Sequence, residues 1–170
     1  MEYLNLIIGN IIALVASIIM VYSGILKNKK KILYFQTIQI GLSVISNIVL
    51  GGISGAIINA INLIRNILCY KEKLETKEKI IITLLATILI CKFNNLGILG
   101  LLPLISAITY TWLMNIKDVK KFKLLIAFTT FLWFIYDFTI QSYSAAIFDA
   151  MTVIGNIVTI FYTKNNKNEN

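Results

Sequence analysis

The stretch that decides the fold is SGAIINA at residues 54–60, which returns as SAAIFDA at residues 144–150, 90 residues later. The same spacing places Asn66-Ile67 on Asn156-Ile157 and the lysines of 27–31 on those of 117–121. Biased composition lets Ile-rich segments match by chance, but it does not explain why polar residues and lysine clusters keep one register. The spacing therefore predicts an internal duplication.

The composition of the chain predicts that the duplicated segment is part of an integral membrane protein. The chain has 170 residues, of which 58% are hydrophobic, and its mean hydropathy is +0.80. Soluble domains are about 45–50% apolar. The net charge of +8 comes from lysines in short segments between apolar runs, without the basic face and interleaved aromatic residues of a nucleic-acid site. We expect the lipid bilayer as a partner and no nucleic acid.

Seven apolar stretches are long enough to be considered as spans, since a helix needs about 20 residues to cross the hydrocarbon core. The predicted fold is an all-α integral membrane protein with seven transmembrane helices. The fourth helix is the shortest, because its uninterrupted apolar part runs only from Ile80 to Ile90 and Lys92 follows. The predicted helices cover residues 4–26, 32–50, 53–70, 78–93, 96–116, 122–140 and 143–163.

The lysine clusters predict the topology. Cytoplasmic loops carry the excess of Lys and Arg, and the clusters at 27–31, 71–79 and 117–123 share one face with the tail only if all seven helices cross. This places the amino terminus outside the inner (plasma) membrane and the carboxyl terminus in the cytoplasm. Two parallel three-helix repeats are then joined by one inverting helix (3+1+3). The predicted units are residues 1–76, the linker helix 77–94, residues 95–163 and a polar cytoplasmic tail 164–170.

Polar residues form a stripe on the third helix and again on the seventh, because the spacing i, i+3, i+7 stays on one helical face. We expect the two helices to face each other and to line one cavity. The alternative is that these side chains join helices by hydrogen bonds without any solute. The two stripes are Asn59, Asn62 and Asn66, and Asp149, Thr152 and Asn156.

Ionisable residues inside predicted spans indicate function, because burying them is costly. Arg65 lies in the inner third of the third helix, with Gly155 at its repeat position. It either contacts an anion or carbonyl in the cavity or extends to the inner headgroups. Asp149 either couples transport to protons or accepts a hydrogen bond. Asp137 lies near the outer end of the sixth helix, and no motif pairs it with Asp149.

Aromatic residues and the single proline add further expectations. Trp112 is predicted to anchor the protein at the membrane interface, whereas Trp133 lies deeper, where its face could stack on a sugar or another flat ligand. Pro103 is expected inside the fifth helix, where it would produce a mobile or a static kink.

The chain lacks the residues on which several classes of enzyme depend. The chain contains no histidine, the commonest metal ligand and proton shuttle. Cys69 and Cys91 are predicted near opposite membrane faces, too far apart for a disulfide. Neither G-x-S-x-G nor H-E-x-x-H occurs. We therefore expect no enzyme activity, no catalytic residues, no metal and no cofactor.

A family resemblance emerges from Leu102-Pro103, the run 133–138 (WFIYDF), and Ser144 with Asp149 and Asn156. With SGAIINA at 54–60, these residues resemble the YgjV family of bacterial inner-membrane proteins from the second helix onward. The resemblance implies an inner-membrane location and adds no defined chemistry.

The architecture is also similar to that of the SWEET and PQ-loop (MtN3-like) transporters, which have a 3+1+3 layout and an outside amino terminus. This similarity implies that Asn66 and Asn156 are paired substrate contacts and that Trp133 is one of two cavity aromatics. The position that matches Trp133 is Ser43, and no Pro-Gln dipeptide occurs. Sugar specificity is therefore not implied.

The predicted function is a carrier or facilitator that moves a small polar solute by alternating access, with its site at the repeat interface near the midplane. The alternative is a membrane scaffold or assembly protein whose asparagines are structural. The solute, its direction, any coupling ion and the oligomeric state stay open. The predicted substrate-binding residues are Asn59, Asn62, Arg65, Asn66, Trp133, Asp149, Thr152 and Asn156.

Overall fold

The computed structural model describes residues 2–25, 29–114, 116 and 118–165. Every regular element in these ranges is helical, which confirms the predicted all-α class. Lys27, Lys117 and the end of the predicted tail lie outside the described residues. The helices are α1 (Glu2–Ile25), α2 (Lys29–Val49), α3 (Ile53–Tyr70), α4 (Thr76–Phe93), α5 (Leu102–Leu113), α6 (Val119–Thr139) and α7 (Tyr143–Asn165), with a 3₁₀ turn at Leu99–Leu101 before α5.

Each predicted span overlaps one of these helices, but they differ in their capacity to cross a membrane. Within the described residues, four segments have the length and apolarity of a span: Tyr3–Ser23, Lys30–Val49, Ile53–Tyr70 and Lys120–Thr139. Leu99–Leu113 and Tyr143–Val158 are apolar but shorter. Helix α4 meets neither description, because Lys77, Glu78 and Lys79 occupy its start and Lys92 its last turn. The crossing of α4, α5 and α7 stays a prediction.

The 90-residue spacing reappears in the helix ends. Helices α2 and α6 each have 21 residues, and both end in the same turn. The backbone N–H of Gly52 donates to the Asn47 carbonyl at 2.7 Å, and that of Ser142 donates to the Asp137 carbonyl at 2.8 Å. The intervening residues have positive φ angles, +75° at Gly51 and +59° at Gln141. Both turns are Schellman motifs. The residue with positive φ is a glycine in the first turn and a glutamine in the second.

The packing of the helices forms a closed ring. Helix α1 packs on α2, α2 on α3, α3 on α5, α5 on α6, α6 on α7 and α7 on α1. Helices α3 and α7 both contribute residues to one cavity, although α3 packs mainly on α2, α4 and α5, and α7 packs mainly on α6 and α1. Because α1 packs on α7 and α5 packs on α3, the centre of the ring is left for cavities.

Helix α4 lies outside this ring and covers one side of it. Ile82, Ala86 and Ile90 of α4 pack with Ile58 and Ile61 of α3. Leu104 and Ala107 of α5 complete this buried apolar cluster. Because the cluster occupies the outer face of α3, the polar residues of that helix are left on its inner face.

Asparagine side chains close two junctions, one between α1 and the α6–α7 turn and one between the segment before α5 and the α2–α3 turn. Asn10 on α1 donates through Nδ2 to the Gln141 carbonyl at 2.9 Å. Asn95, before α5, donates through Nδ2 to the Gly51 carbonyl at 3.1 Å. The two acceptors are 90 residues apart, so each junction uses the exposed carbonyl of the corresponding turn.

Glycines at the start of α3 allow α6 to approach closely. The backbone N–H of Gly55 donates to the hydroxyl oxygen of Tyr136 at 2.7 Å, and the Tyr136 side chain is completely buried. A Cβ atom at Gly55 would lie 2.5 Å from the Tyr136 ring, which is shorter than any van der Waals contact. The absence of a side chain at Gly55 is therefore required by this packing.

Pro103 lies in the first turn of α5 and not in its interior, so the predicted kink in the fifth helix is wrong. Helix α5 begins at Leu102, after the 3₁₀ turn at Leu99–Leu101, and Pro103 occupies its first turn. The missing N–H of proline costs no hydrogen bond there, because the first N–H groups of a helix have no intrahelical acceptor.

Candidate functional site

The ring of helices encloses a polar cavity of about 200 Å³ near the starts of α3 and α7. We name it the acidic chamber, because Asp137 and Asp149 are in its wall. Helices α1, α2, α3, α6 and α7 all contribute to it. Its lining residues are Ala13, Ser17, Met20, Gln39, Ile40, Ser43, Ser46, Asn47, Asn59, Asn62, Thr130, Trp133, Asp137, Ser142, Ala145 and Asp149.

A second cavity of about 220 Å³ follows further along α3. We name it the arginine chamber, because Arg65 is in its wall. Helix α5 replaces α7 among the helices that line it. Its lining residues are Met20, Leu33, Gln36, Gln39, Ile40, Asn62, Arg65, Asn66, Cys69, Ser106, Ala107, Tyr110, Met114, Thr129 and Trp133.

The two chambers have part of their walls in common. Met20, Gln39, Ile40, Asn62 and Trp133 line both cavities, and we call them the shared layer. The Trp133 ring is held edge-on to Tyr136, with ring centroids 5.8 Å apart. The chambers are therefore adjacent, and the shared layer consists of one indole, one aliphatic side chain, one thioether and two amides.

Asp137 and Asp149 come together in the acidic chamber. Both side chains are buried, and both line this one small cavity. Two carboxyl groups that share a buried site resist being ionised at the same time. Sequence reasoning left Asp137 out of the site, because the two residues lie on different helices. The available signal was the spacing, which places Asn47 on Asp137 and Asn59 on Asp149.

Arg65 is buried in the arginine chamber, with only 7% of its surface exposed. Its Nη1 donates to Thr111 Oγ1 on α5 at 3.4 Å. The guanidinium carbon lies 5.1 Å from the centroid of the Tyr110 ring, within the range of a cation–π contact. This position fits the cavity-lining alternative for Arg65 and not an extended side chain at the headgroups.

Asn59, Asn62 and Asn66 face the chambers, as the stripe on α3 predicts. All three are buried. Hydrogen bonds between the described helices are made by other side chains, such as Ser46 to the Gly9 carbonyl at 2.8 Å and Ser106 to the Thr129 carbonyl at 3.1 Å. These three asparagines are therefore available to the cavities.

The second stripe is only partly in the site. Asp149 lines the acidic chamber, whereas Thr152 and Asn156 are not among the residues that line either chamber. Thr152 Oγ1 donates to the Phe148 carbonyl at 2.8 Å, and Asn156 Nδ2 donates to the Thr152 carbonyl at 2.8 Å. Both side chains thus bond their own helix. The role of every predicted residue in binding a substrate stays a prediction.

Two other predictions concern Trp112 and the two cysteines. Trp112, expected at the membrane interface, is 42% exposed and donates through Nε1 to Thr83 Oγ1 at 3.1 Å. Cys69 and Cys91 are both free thiols. Within the described residues, no group of three or more His, Cys, Asp or Glu side chains could hold a metal ion.

Comparison with known proteins gives the family. Neither the curated proteins nor the solved structures yield a match. The sequence profile of the family Imp-YgjV, described as bacterial inner membrane protein, matches residues 7–167, which include all but the first residues of α1 and the end of the tail. The apolar helices agree with that description. This chain belongs to the Imp-YgjV family of bacterial inner membrane proteins.

Proposed function

We propose that this protein is a membrane carrier or facilitator that moves a small polar solute by alternating access. The observation that carries the proposal is the pair of adjacent chambers, which have the five residues of the shared layer in both walls. A carrier needs a solute site that is closed on one side at a time. Opening the shared layer would join the chambers, and closing it would return the solute to one of them.

The proposed moving parts are the two predicted three-helix units, α1–α3 and α5–α7, joined by α4. Corresponding contacts support this 3+1+3 arrangement, because the α1–α7 interface matches the α5–α3 interface. Rocking one unit against the other would change both junctions together. The proposed orientation has the amino terminus outside and the carboxyl terminus in the cytoplasm, as the lysine clusters predict.

Residues of the chambers have distinct proposed roles. Asn59 and Asn62 would bond polar groups of the solute, and the Trp133 face would contact its flat or apolar part. The carboxyls of Asp137 and Asp149, buried in the acidic chamber, would carry a proton, and its release would accompany solute movement. No catalytic reaction is assigned to the chain. The proposed partners are the lipid bilayer and the solute.

Thermal stability tests this proposal first. The purified protein in detergent would be heated with sugars, amino acids, nucleosides and organic anions, because a bound solute stabilises the folded state by mass action. Asn59→Ala with Asn62→Ala should abolish the shift. Thr152→Ala is the matched control, because Thr152 lies outside both chambers.

Flux into liposomes completes the test with any solute that stabilises the protein. Uptake above that of protein-free liposomes is expected for the parent and the control, and a loss is expected for the double variant. A panel with no stabilising solute and no uptake would overturn the carrier proposal. Broad destabilisation by the Asn59 and Asn62 changes, without any solute effect, would instead support the scaffold alternative.

A further inference from the structure

Arg65 is a buried cation whose only described hydrogen bond goes to a neutral group. A guanidinium carries five N–H donors, and Thr111 Oγ1 accepts one of them at 3.4 Å. The Tyr110 ring covers one face without accepting a conventional hydrogen bond. Burying a charge without a counter-charge is costly. The described residues around Arg65 therefore provide neither a counter-charge nor enough hydrogen-bond acceptors for its guanidinium group.

The arginine chamber contains no acidic side chain among its described lining residues. The buried carboxyls of Asp137 and Asp149 line the acidic chamber instead. The other polar groups around Arg65 are neutral amides and hydroxyls, such as Gln36 and Ser106. The chamber thus has a positive charge that the described part of the protein does not balance locally.

Asn66 supplies an independent observation. It lines the same chamber and is 5% exposed, and its Nδ2 atom has no hydrogen-bond partner. Native proteins rarely leave a buried donor unsatisfied. Arg65 and Asn66, adjacent on α3, thus have N–H groups without enough acceptors in the wall of one small cavity.

We propose that the arginine chamber binds the carboxylate group of a small organic anion. Arg65 provides the charge and paired donors, because a guanidinium matches a carboxylate geometrically, and Asn66 Nδ2 donates a further hydrogen bond. A cavity of about 220 Å³ restricts the solute to a few carbon atoms. This inference names the substrate class of the carrier and rests on the proposed function.

The rate at which the Cys69 thiol is modified reports the charge of the arginine chamber, because Cys69 lines that chamber. In a Cys91→Ser background, a negatively charged methanethiosulfonate reagent should modify Cys69 about tenfold faster than a positively charged one of similar size, since a charged cleft concentrates the opposite charge. Arg65→Gln should abolish the preference. Arg65→Lys is the matched control that retains the charge. Equal rates for both reagents in the parent would overturn the proposal.

Protection experiments identify the occupant without altering Arg65. Sodium lactate or succinate should slow the modification of Cys69, and the uncharged amides of the same acids should not. Protection by phosphatidylglycerol vesicles together with none by either acid would assign the cavity to a lipid headgroup and overturn the proposal. Protection by sugars alone would overturn it as well.

These results are separate from the fate of the carrier proposal. The charge and the protection of Cys69 are measured on the purified protein without flux. Protection by a carboxylate without uptake into liposomes would retain the anion site and reject transport. Uptake of a neutral solute without any carboxylate effect would retain transport and reject the anion site.

Discussion

Helices α3 and α7 begin 90 residues apart in the sequence, yet they use their polar stripes differently. On α3, Asn59, Asn62 and Asn66 all face the chambers, whereas on α7 only Asp149 does. Both helices begin after the same Schellman turn. The comparison teaches that the 90-residue spacing is kept in the starts of the two helices, while the neighbours of each helix decide where its polar side chains lie.

The physical reason is the position of α4. It packs on α3 and α5, and its apolar residues cover the outer face of α3. Helix α7 has no such cover among the described helices, and residues such as Ile147, Met151 and Ile154 are exposed. Enclosure on several sides makes the polar side chains of α3 line cavities, while Asn156 bonds its own backbone.

The largest expected difference concerns transport. Asn62→Leu should reduce uptake of the carrier's solute about tenfold, which corresponds to about 1.4 kcal/mol and to roughly one or two lost hydrogen bonds. Thr152→Val, at the repeat-related position, should leave uptake unchanged. Liposome flux measures both. Equal losses in the two variants would show that α7 contributes to the path as much as α3 does.

Glycine substitutions test the packing of the two helices. Gly55→Ala should lower the free energy of unfolding by about 1–3 kcal/mol, because the new Cβ would overlap the Tyr136 ring. Gly155→Ala on α7 meets nothing within 4 Å and should raise it by up to about 1 kcal/mol through helix propensity. Thermal unfolding in detergent reports both, and a stable Gly55→Ala protein would contradict the close approach of α6.

Matched leucine substitutions separate a binding role from a structural one. Asn66→Leu should preserve the free energy of unfolding or raise it by about 1 kcal/mol, because it removes a buried donor without a partner. Asn156→Leu should lower it by about 1 kcal/mol or less, since it loses the bond to the Thr152 carbonyl. If Asn66→Leu were the more destabilised variant, Asn66 would be structural, as the scaffold alternative requires.

The smallest expected effect is on the stability of α6, and it provides a reference for the changes in α3 and α7. Asp118 caps α6 by accepting from the Lys121 backbone N–H at 2.9 Å, and this bond lowers the pKa of the Asp118 carboxyl. Its contribution to stability is complete above the unfolded pKa of about 3.9 and is lost as the pH falls through the lowered folded pKa. Asp118→Asn should remove this acid dependence while keeping the cap.

Thermal unfolding between pH 2 and 7 would detect that change only as a small difference in slope between the parent and Asp118→Asn. The change in the free energy of unfolding should be smaller than that of Gly55→Ala, because Asp118 is at the exposed end of its helix. A larger change would contradict this expected order of effects. If the two slopes agree within experimental error, their scatter gives the smallest stability difference that can be resolved between the α3 and α7 variants.

Sequence reasoning predicted the helices well, because their ends are encoded locally. Hydrophobic runs, the lysine clusters and the turn at Gly51 determine where α2 and α3 begin and end, and the 90-residue spacing transfers those positions to α6 and α7. It failed at Pro103, because hydropathy does not distinguish the 3₁₀ turn before α5 from the helix itself. It also did not predict the pairing of Asp137 with Asp149, since their proximity depends on how α6 packs on α7.

The sequence by itself determined the all-helical membrane class, the family and the order of the helices, because these depend on composition and short-range spacing. Only the tertiary structure decided which polar residues share a cavity. Arg65, Asn66 and Cys69 line one chamber, and Asp137 and Asp149 line the other, because α4 covers one side of the helix ring and the centre of the ring is left for cavities. Such long-range packing cannot be read from the spacing within any one helix.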